Sequence, residues 1–245
     1  MLVSVITVCR NSEKTICDTL DSVLAQTYPE IEYIVVDGAS TDGTGKLLER
    51  YAQKFYDRGY AFRVVSEPDR GIYDALNKGI ALASGELIGI INSDDWYEPQ
   101  AVETAVQTYR EEPYDLFYGD LNLVKPDGSV LVKRSRHDRF PSTRHWNHPT
   151  MFVTREVYRE LGGYCCRSLY DDFDLVLRLR RAGKKAVIRN VVLANFRTGG
   201  VSNQKGLLRC IRRIRARYRN YRLNGYSRWS VAECVAMEAA KLVLS

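Results

Sequence analysis

Gly85-Glu86-Leu87-Ile88-Gly89-Ile90-Ile91-Asn92-Ser93-Asp94-Asp95-Trp96 begins as an apolar run and stops abruptly at turn formers and two adjacent carboxylates. The run is short, aliphatic and bounded by polar residues, which fits a buried strand. Such a strand delivers Asp94 and Asp95 to its carboxyl end. In open α/β sheets that edge is where ligands bind. Neighbouring carboxylates repel each other, so a site that keeps them together suits a cation.

The sequence upstream repeats the same grammar. Val3 to Val8 reads as a strand, with Asn11 and Ser12 as N-cap candidates for the next helix. Ile16, Leu20, Val23 and Leu24 give that helix one apolar face. Ile31 to Val36 is a second strand, and Asp37-Gly38-Ala39-Ser40-Thr41-Asp42-Gly43 is a dense turn signal. A helix carrying Leu47, Leu48, Tyr51 and Phe55, a short strand Phe62 to Val65 and a helix Tyr73 to Ala83 complete the series. Strands alternating with helices predict a mostly parallel sheet covered on both faces. Downstream, Asp115 to Val124 and Val130 to Lys133 flank Pro126-Asp127-Gly128, a hairpin signal. Arg155 to Leu161 and Asp172 to Ala182 read as helices, and Ala186 to Phe196 as one or two strands.

The 245 residues carry a formal charge of +6, unevenly spread. Lys205 to Arg222 holds one Lys and seven Arg without an acid, so the rest of the chain sums to −2. The basicity belongs to a segment and not to the fold. The six cysteines form no CxxC pair and no Cys/His zinc spacing. Without a leader-like N-terminus they are expected to be free thiols in a reducing compartment. No apolar run approaches the roughly 20 residues that span a bilayer.

Four segments stand in a telling order: Val3 to Asn11, Val36 to Thr44, Asn92-Ser93-Asp94-Asp95 and Tyr170-Asp171-Asp172-Phe173-Asp174-Leu175. Together they resemble the family 2 glycosyltransferases, from Val3 to about Ser202. The resemblance implies the GT-A fold: a Rossmann-like α/β fold with a mostly parallel central sheet, flanking helices, a small antiparallel element and a C-terminal helical tail. It divides the chain into a transferase domain over 1–203 and a basic amphipathic tail over 204–245. Within the first, 1–95 is the nucleotide-binding half and 96–203 the acceptor-binding half. Asp69-Arg70-Gly71-Ile72-Tyr73-Asp74-Ala75-Leu76-Asn77-Lys78-Gly79 is similar to bacterial transferases that build cell-surface polysaccharides and glycolipids.

The resemblance also assigns roles. Asp95 is expected to bind a divalent cation, Mn²⁺ or Mg²⁺, and Asp94 to contact ribose or donor sugar. A nucleotide-sugar diphosphate, UDP-linked by expectation, needs such a cation to neutralise its leaving group, and a hard cation takes carboxylate and phosphate oxygens. Thr7, Val8, Arg10, Asp37 and Ser40 are expected at the nucleoside, although Asp37 and Ser40 also suit a plain turn. Many relatives carry a second acid where this chain has Gly38, so a base contact must come from elsewhere. Gly71, Tyr73, Asn77 and Lys78 are candidates for phosphate and sugar; a solvated helix face with Tyr73 as packing is the alternative. Asp172 is the expected general base, since an inverting displacement needs one carboxylate opposite the leaving group. Asp171, His148 and Trp96 are candidate acceptor contacts, with helix capping the competing role for the acids. Gly199-Gly200-Val201-Ser202 resembles a loop that closes over the donor.

Lys205 to Arg222 interleaves Leu207, Leu208, Ile211, Ile214 and Tyr218 with its arginines, and Val231 to Leu244 is a second amphipathic helix. A basic amphipathic helix suits an anionic membrane surface. Nucleic acid is not expected, because no helix-turn-helix or zinc-finger signature accompanies the tail. Packing within a homo-oligomer is the other reading. The expected acceptor is a polyprenyl-diphosphate-linked saccharide, at the inner face of the cytoplasmic membrane. A nucleotidyltransferase that forms sugar nucleotides and a non-catalytic membrane-surface module are the alternatives.

Overall fold

The computed structural model describes residues 1–137, 140–143, 145–199 and 207–243. The repeated strand–helix pattern is present as read. It runs β1 (Val3–Cys9), α1 (Ile16–Leu24), β2 (Ile31–Asp37), α2 (Thr44–Asp57), β3 (Ala61–Ser66), α3 (Ile72–Leu82) and β4 (Leu87–Ile90). There follow β5 (Trp96–Tyr97), α4 (Ala101–Glu111), β6 (Leu116–Val124), β7 (Val130–Lys133), a 3₁₀ turn (His148–Thr150) and β8 (Phe152–Thr154). Then come α5 (Arg155–Leu161), α6 (Asp171–Arg181), β9 (Ala186–Arg197), α7 (Leu207–Leu223) and α8 (Ser230–Val243).

The strands form one sheet in the order β3-β2-β1-β4-β8-β6-β9-β5, with β7 paired to β6. The first four are parallel, β8 enters antiparallel between β4 and β6, and β9 runs parallel to β6. The β6–β7 hairpin forms where Pro126-Asp127-Gly128 predicts it. Alternation along β1 and β2 feeds two cores. Val3, Val5, Tyr33 and Val35 pack with Leu20, Val23, Leu48, Phe55 and Val106 on one face. Ile6, Val8, Ile34 and Val36 pack with Leu76, Val157, Phe173 and Leu177 on the other. Gly79 lets α3 lie close on that second face, since a Cβ there would stand 2.5 Å from Ile6 Cγ2.

One local expectation changes. The N-cap of α1 is Thr15, without a side-chain cap bond, and a turn from Ser12 precedes it. Asn11 is freed from capping, adopts a left-handed φ of 52° and accepts the Thr41 N–H across the β1 and β2 loops. Residues 186–197 form one long strand that bulges against β6 around Asp120, where Asn190 bonds the Asp120 carboxylate.

The tail folds into an α7–α8 hairpin against α6, and its buried side is mixed: Ile214, Tyr218 and Tyr221 pack on the second core, beside buried polar groups. Arg217, Asn220, Tyr221 and Asn224 face inward, while Leu208 is 74% and Ile211 38% exposed. Glu238 of α8, fully buried, draws Arg217 inward and pairs with it and, at 2.7 Å, with Arg213. Arg209, Arg212, Arg215, Arg219 and Arg222 stay exposed. Lys205 lies outside the described residues, as do Leu244 and residue 200 through Ser202 of the expected donor loop. Removing one partner of a buried pair leaves a stranded charge and costs about 3–5 kcal/mol. Glu238→Ala, which strands the buried Arg217, should therefore lower the unfolding free energy by about that much in a urea titration, whereas Arg222→Ala should change it by under about 0.5 kcal/mol. No helix among the described residues is long and apolar enough to cross a membrane.

Candidate active site

The carboxyl ends of β1, β2 and β4 share one edge because the three strands are parallel neighbours. Their loops are laced together there. Ser12 and Ser93 meet through their hydroxyls at 2.8 Å, Ser12 N–H donates to Thr44 Oγ1, and Asn11 N–H donates to Ser40 Oγ. Asp37 lies at the end of β2, only 2% exposed. It accepts bonds from Ser40 N–H, from the hydroxyls of Ser40 and Ser66, and from the Cys9 thiol. Asp37 thus shapes the loop with its own oxygens. Thr7 and Val8 are buried within the sheet, and the Thr7 hydroxyl already accepts from Tyr33 at 2.9 Å. Their side chains do not reach the edge. Arg10 is exposed there.

The gap left by Gly38 is filled from another loop. A Cβ at Gly38 would fall 2.2 Å from Asp69 Oδ2, and Asp69 Oδ1 accepts the Gly71 N–H. A carboxylate therefore stands beside position 38, supplied by the β3–α3 connection. Lys78 reaches the Pro68 carbonyl and Glu67, and Arg70 pairs with Asp74. Asn77 clasps the backbone of Tyr164 with both amide atoms, at 2.8 Å each, so it ties α3 to the 162–170 loop.

Asp94 and Asp95 follow β4. Asp95 is fully buried, and its Oδ1 accepts the Arg197 N–H at 3.1 Å while its Oδ2 has no partner. Asp94 is half-buried. Burial raises the pKa of both carboxyls, Asp95 well above the usual range, and the neighbouring Asp94 charge adds to the effect at Asp95. Among the described residues no three His, Cys, Asp or Glu side chains are grouped for a metal. The donor set is two carboxylates, one with an orphaned buried oxygen, and no thiol or imidazole. That fits a hard divalent cation whose remaining ligands come from a diphosphate.

Arg197, at the end of β9, went unrecognised in the sequence. Besides its bond to Asp95, it donates to the Asp94 carbonyl at 3.2 Å, pairs with Asp18 and lies over the Trp96 ring. Trp96 itself sits in β5, paired to Asn195 of β9. The only sequence signal was an arginine directly before Thr198-Gly199-Gly200 at a strand end.

The last pair opens α6. Asp171 is fully buried and takes the N–H groups of Arg167 and Ser168 at 2.7 and 2.9 Å. Its oxygens organise the preceding loop. Asp172 has a different setting. Burial pushes its carboxyl up to about 6, opposed by the Phe173 N–H and the Tyr73 hydroxyl, and Asp171 pushes the same way as burial. Tyr73 is buried against Tyr164, with its hydroxyl between Asp172 and the Leu169 carbonyl, and does not project as a stacking platform. His148 bonds Tyr164 through Nε2 at 2.9 Å, and burial lowers its pKa to about 4, so it is neutral at physiological pH. A hydrogen bond to a carboxylate favours its charged form. Tyr73→Phe should thus raise the Asp172 pKa and move the acidic limb of a pH–rate profile upward by about one unit. An unmoved limb would show that Tyr73 only packs.

The model of the family described as Glycosyl transferase family 2 matches residues 4–169. The chain belongs to that family. This glycosyltransferase is 31% identical over 190 residues to a PGL/p-HBAD biosynthesis glycosyltransferase of Mycobacterium tuberculosis, covering 75% of the chain and 72% of that protein. It is 28% identical over 189 residues to a chondroitin synthase of Pasteurella multocida, covering 75% of the chain but 19% of that much longer protein. Its fold matches S. aureus TarS 1-349, solved in complex with UDP-GlcNAc, at a TM-score of 0.70, with 18% identity over 98% of the chain and 72% of TarS 1-349. It also matches the mannosyltransferase PcManGT of Pyrobaculum calidifontis, solved with GDP-Man and Mn²⁺, at 0.67, with 20% identity over 99% of the chain and 74% of that one. The GT-A architecture inferred for this chain is the architecture found.

Proposed function

We propose that this family 2 glycosyltransferase is a metal-dependent inverting enzyme. It moves a sugar from a nucleotide donor, UDP-linked in our reading, to a saccharide hydroxyl in the assembly of a bacterial surface polysaccharide or glycolipid. One observation carries this most. An acid pair with an unpartnered buried oxygen stands at the sheet edge, and a single carboxylate with a raised pKa opens α6. Solved relatives in complex with UDP-GlcNAc, and with GDP-Man and Mn²⁺, support the donor class and the cation.

In this reading residues 1–95 receive the nucleotide, 96–203 the acceptor, and 204–245 form the tail. The loops at Arg10 and Asp37–Ser40 present backbone to the nucleoside, and Asp69 takes the place of an acid at position 38. Asp94 and Asp95 would hold Mn²⁺ or Mg²⁺, which supplies charge neutralisation to the departing diphosphate. Arg197 braces both acids from behind. Asp172 accepts the proton of the acceptor hydroxyl as that oxygen attacks, and Tyr73 keeps its carboxylate aimed and ionised. Trp96 and His148 would flank the acceptor. The exposed arginines of α7, worth on the order of 1 kcal/mol each near anionic lipid, would bring the enzyme to the inner face of the membrane beside a lipid-linked acceptor. An inverting enzyme that slowly hydrolyses an α-linked nucleotide sugar releases the β-anomer first. Proton NMR of the freed sugar within minutes of mixing tests this, and a first-formed α-anomer would refute inversion.

A further inference from the structure

A cleft of about 520 Å³ lies between the 162–170 loop, the second half of α6 and the end of α7. Its lining combines charge with apolar wall. Asp174 is matched inside it, since Arg178 Nε donates to Oδ2 at 2.9 Å and Asn224 to Oδ1 at 2.8 Å. Arg178 is further fixed by the carbonyls of Leu161 and Gly163. Arg167 and Arg181 have no side-chain partner among the described residues, so the cleft carries two uncompensated positive charges. Leu161 and Leu223 form its apolar sides, and Leu223 is 48% exposed.

Cations in the last turn of α6 suit the helix dipole, which accounts for Arg181. It does not account for Arg167, which comes from a different segment, nor for leucines left open between the two. We propose that this cleft binds the phosphate end of an anionic amphiphile, with phosphate oxygens on Arg167 and Arg181 and the first part of the chain along Leu161 and Leu223. Phosphate oxygens accept from both guanidinium groups, and the apolar segment covers leucine surface that is otherwise wet.

At 1.5 Å of rise and about 100° of turn per residue, Arg181 lies roughly 14 Å along α6 from Asp172 and on the opposite side of the helix. A saccharide that joins the lipid phosphate to the attacking hydroxyl has to pass around the helix as well as along it. Asp171 holds the Arg167 N–H, so the turn that carries Arg167 also abuts the start of α6. Beyond Leu223, the α7–α8 connection exposes Arg228 and Trp229, the latter 73% exposed, a composition suited to a lipid interface. The biological role assigned to the cleft rests on the acceptor proposed above; the binding itself does not.

Calorimetry of the full chain in EDTA tests it, because the acid pair then has no cation with which to hold a phosphate. Farnesyl diphosphate, inorganic pyrophosphate and farnesol are the probes. Farnesyl diphosphate should bind at least tenfold tighter than either of the others. The exposed double variant Arg167→Ala/Arg181→Ala should weaken it at least tenfold, and Leu223→Asn severalfold. Unchanged binding by the double variant would overturn the proposal, as would pyrophosphate or farnesol binding as tightly as farnesyl diphosphate. If the probe binds as predicted while no lipid-linked saccharide is ever glycosylated, the acceptor reading fails and the cleft stands.

Discussion

Asp172→Asn should produce an enzyme that is nearly inactive and more stable than the parent. As general base, Asp172 contributes roughly 10²–10⁴-fold, so kcat should fall by that factor while donor affinity is retained. Its carboxyl is raised from an ordinary 3.8 to about 6 in the folded protein, chiefly by burial. A raised carboxyl favours the neutral form, so its contribution to stability is full below the unfolded pKa and is lost as pH climbs through the folded one. Above pH 6 the folded state therefore holds a costly charge, worth up to about 3 kcal/mol on this shift. Asparagine removes the charge and can still accept the Phe173 N–H. Thermal unfolding at pH 7.5 should shift upward by several degrees, and the gain should vanish by about pH 4. The same ionisation sets activity, and the wild-type rate should fall below about pH 6. Normal turnover by Asp172→Asn would remove this residue from the chemistry.

Asp95→Ala should abolish metal-dependent transfer. Charge neutralisation at a leaving diphosphate is worth several kcal/mol, so a loss of at least about 10³-fold is expected. Both acids have raised pKa values, so in the free enzyme their protonation competes with cation binding. Mn²⁺ affinity measured by calorimetry should accordingly tighten as pH rises, with protons released on binding. Asp94→Asn separates the two roles. Asp94 is the more open carboxylate, whereas Asp95 has one oxygen committed to Arg197. If both substitutions weaken Mn²⁺, the pair holds it jointly. If Asp95→Ala leaves Mn²⁺ affinity unchanged, Asp95 is a brace for the loop.

The core of the fold was legible because its periodicity is local. Val3 to Val8, Ile31 to Val36 and Leu87 to Ile91 announced the parallel strands, and the helices between them followed from i, i+4 spacing. Helix α4 went unread although Ala101, Val102, Ala105 and Val106 mark its buried face. The two-residue β5 could not be read, because Trp96 and Tyr97 become a strand only by pairing with β9 some hundred residues on. The acids of the site were visible as types at strand ends, but their partners were not. That Asp171 caps a loop, that Arg197 braces Asp95 and that Asp69 fills the space beside Gly38 are long-range or loop-geometry facts that carry no local signal. The tail shows the same limit. Its spacing marked an amphipathic helix, and Ile214 and Tyr218 do pack on the core, yet Glu238 also draws Arg217 inward while Leu208 and Ile211 stay outside.

The most direct measurement is release of nucleoside diphosphate from a panel of UDP- and GDP-sugars, with Mn²⁺ or with EDTA, by the wild-type protein and by Asp95→Ala. The account predicts slow hydrolysis of at least one UDP-sugar by the wild type with Mn²⁺, and loss of that rate in EDTA and in the variant. Hydrolysis of the same sugar at an undiminished rate in EDTA, or no response to any donor, would contradict it.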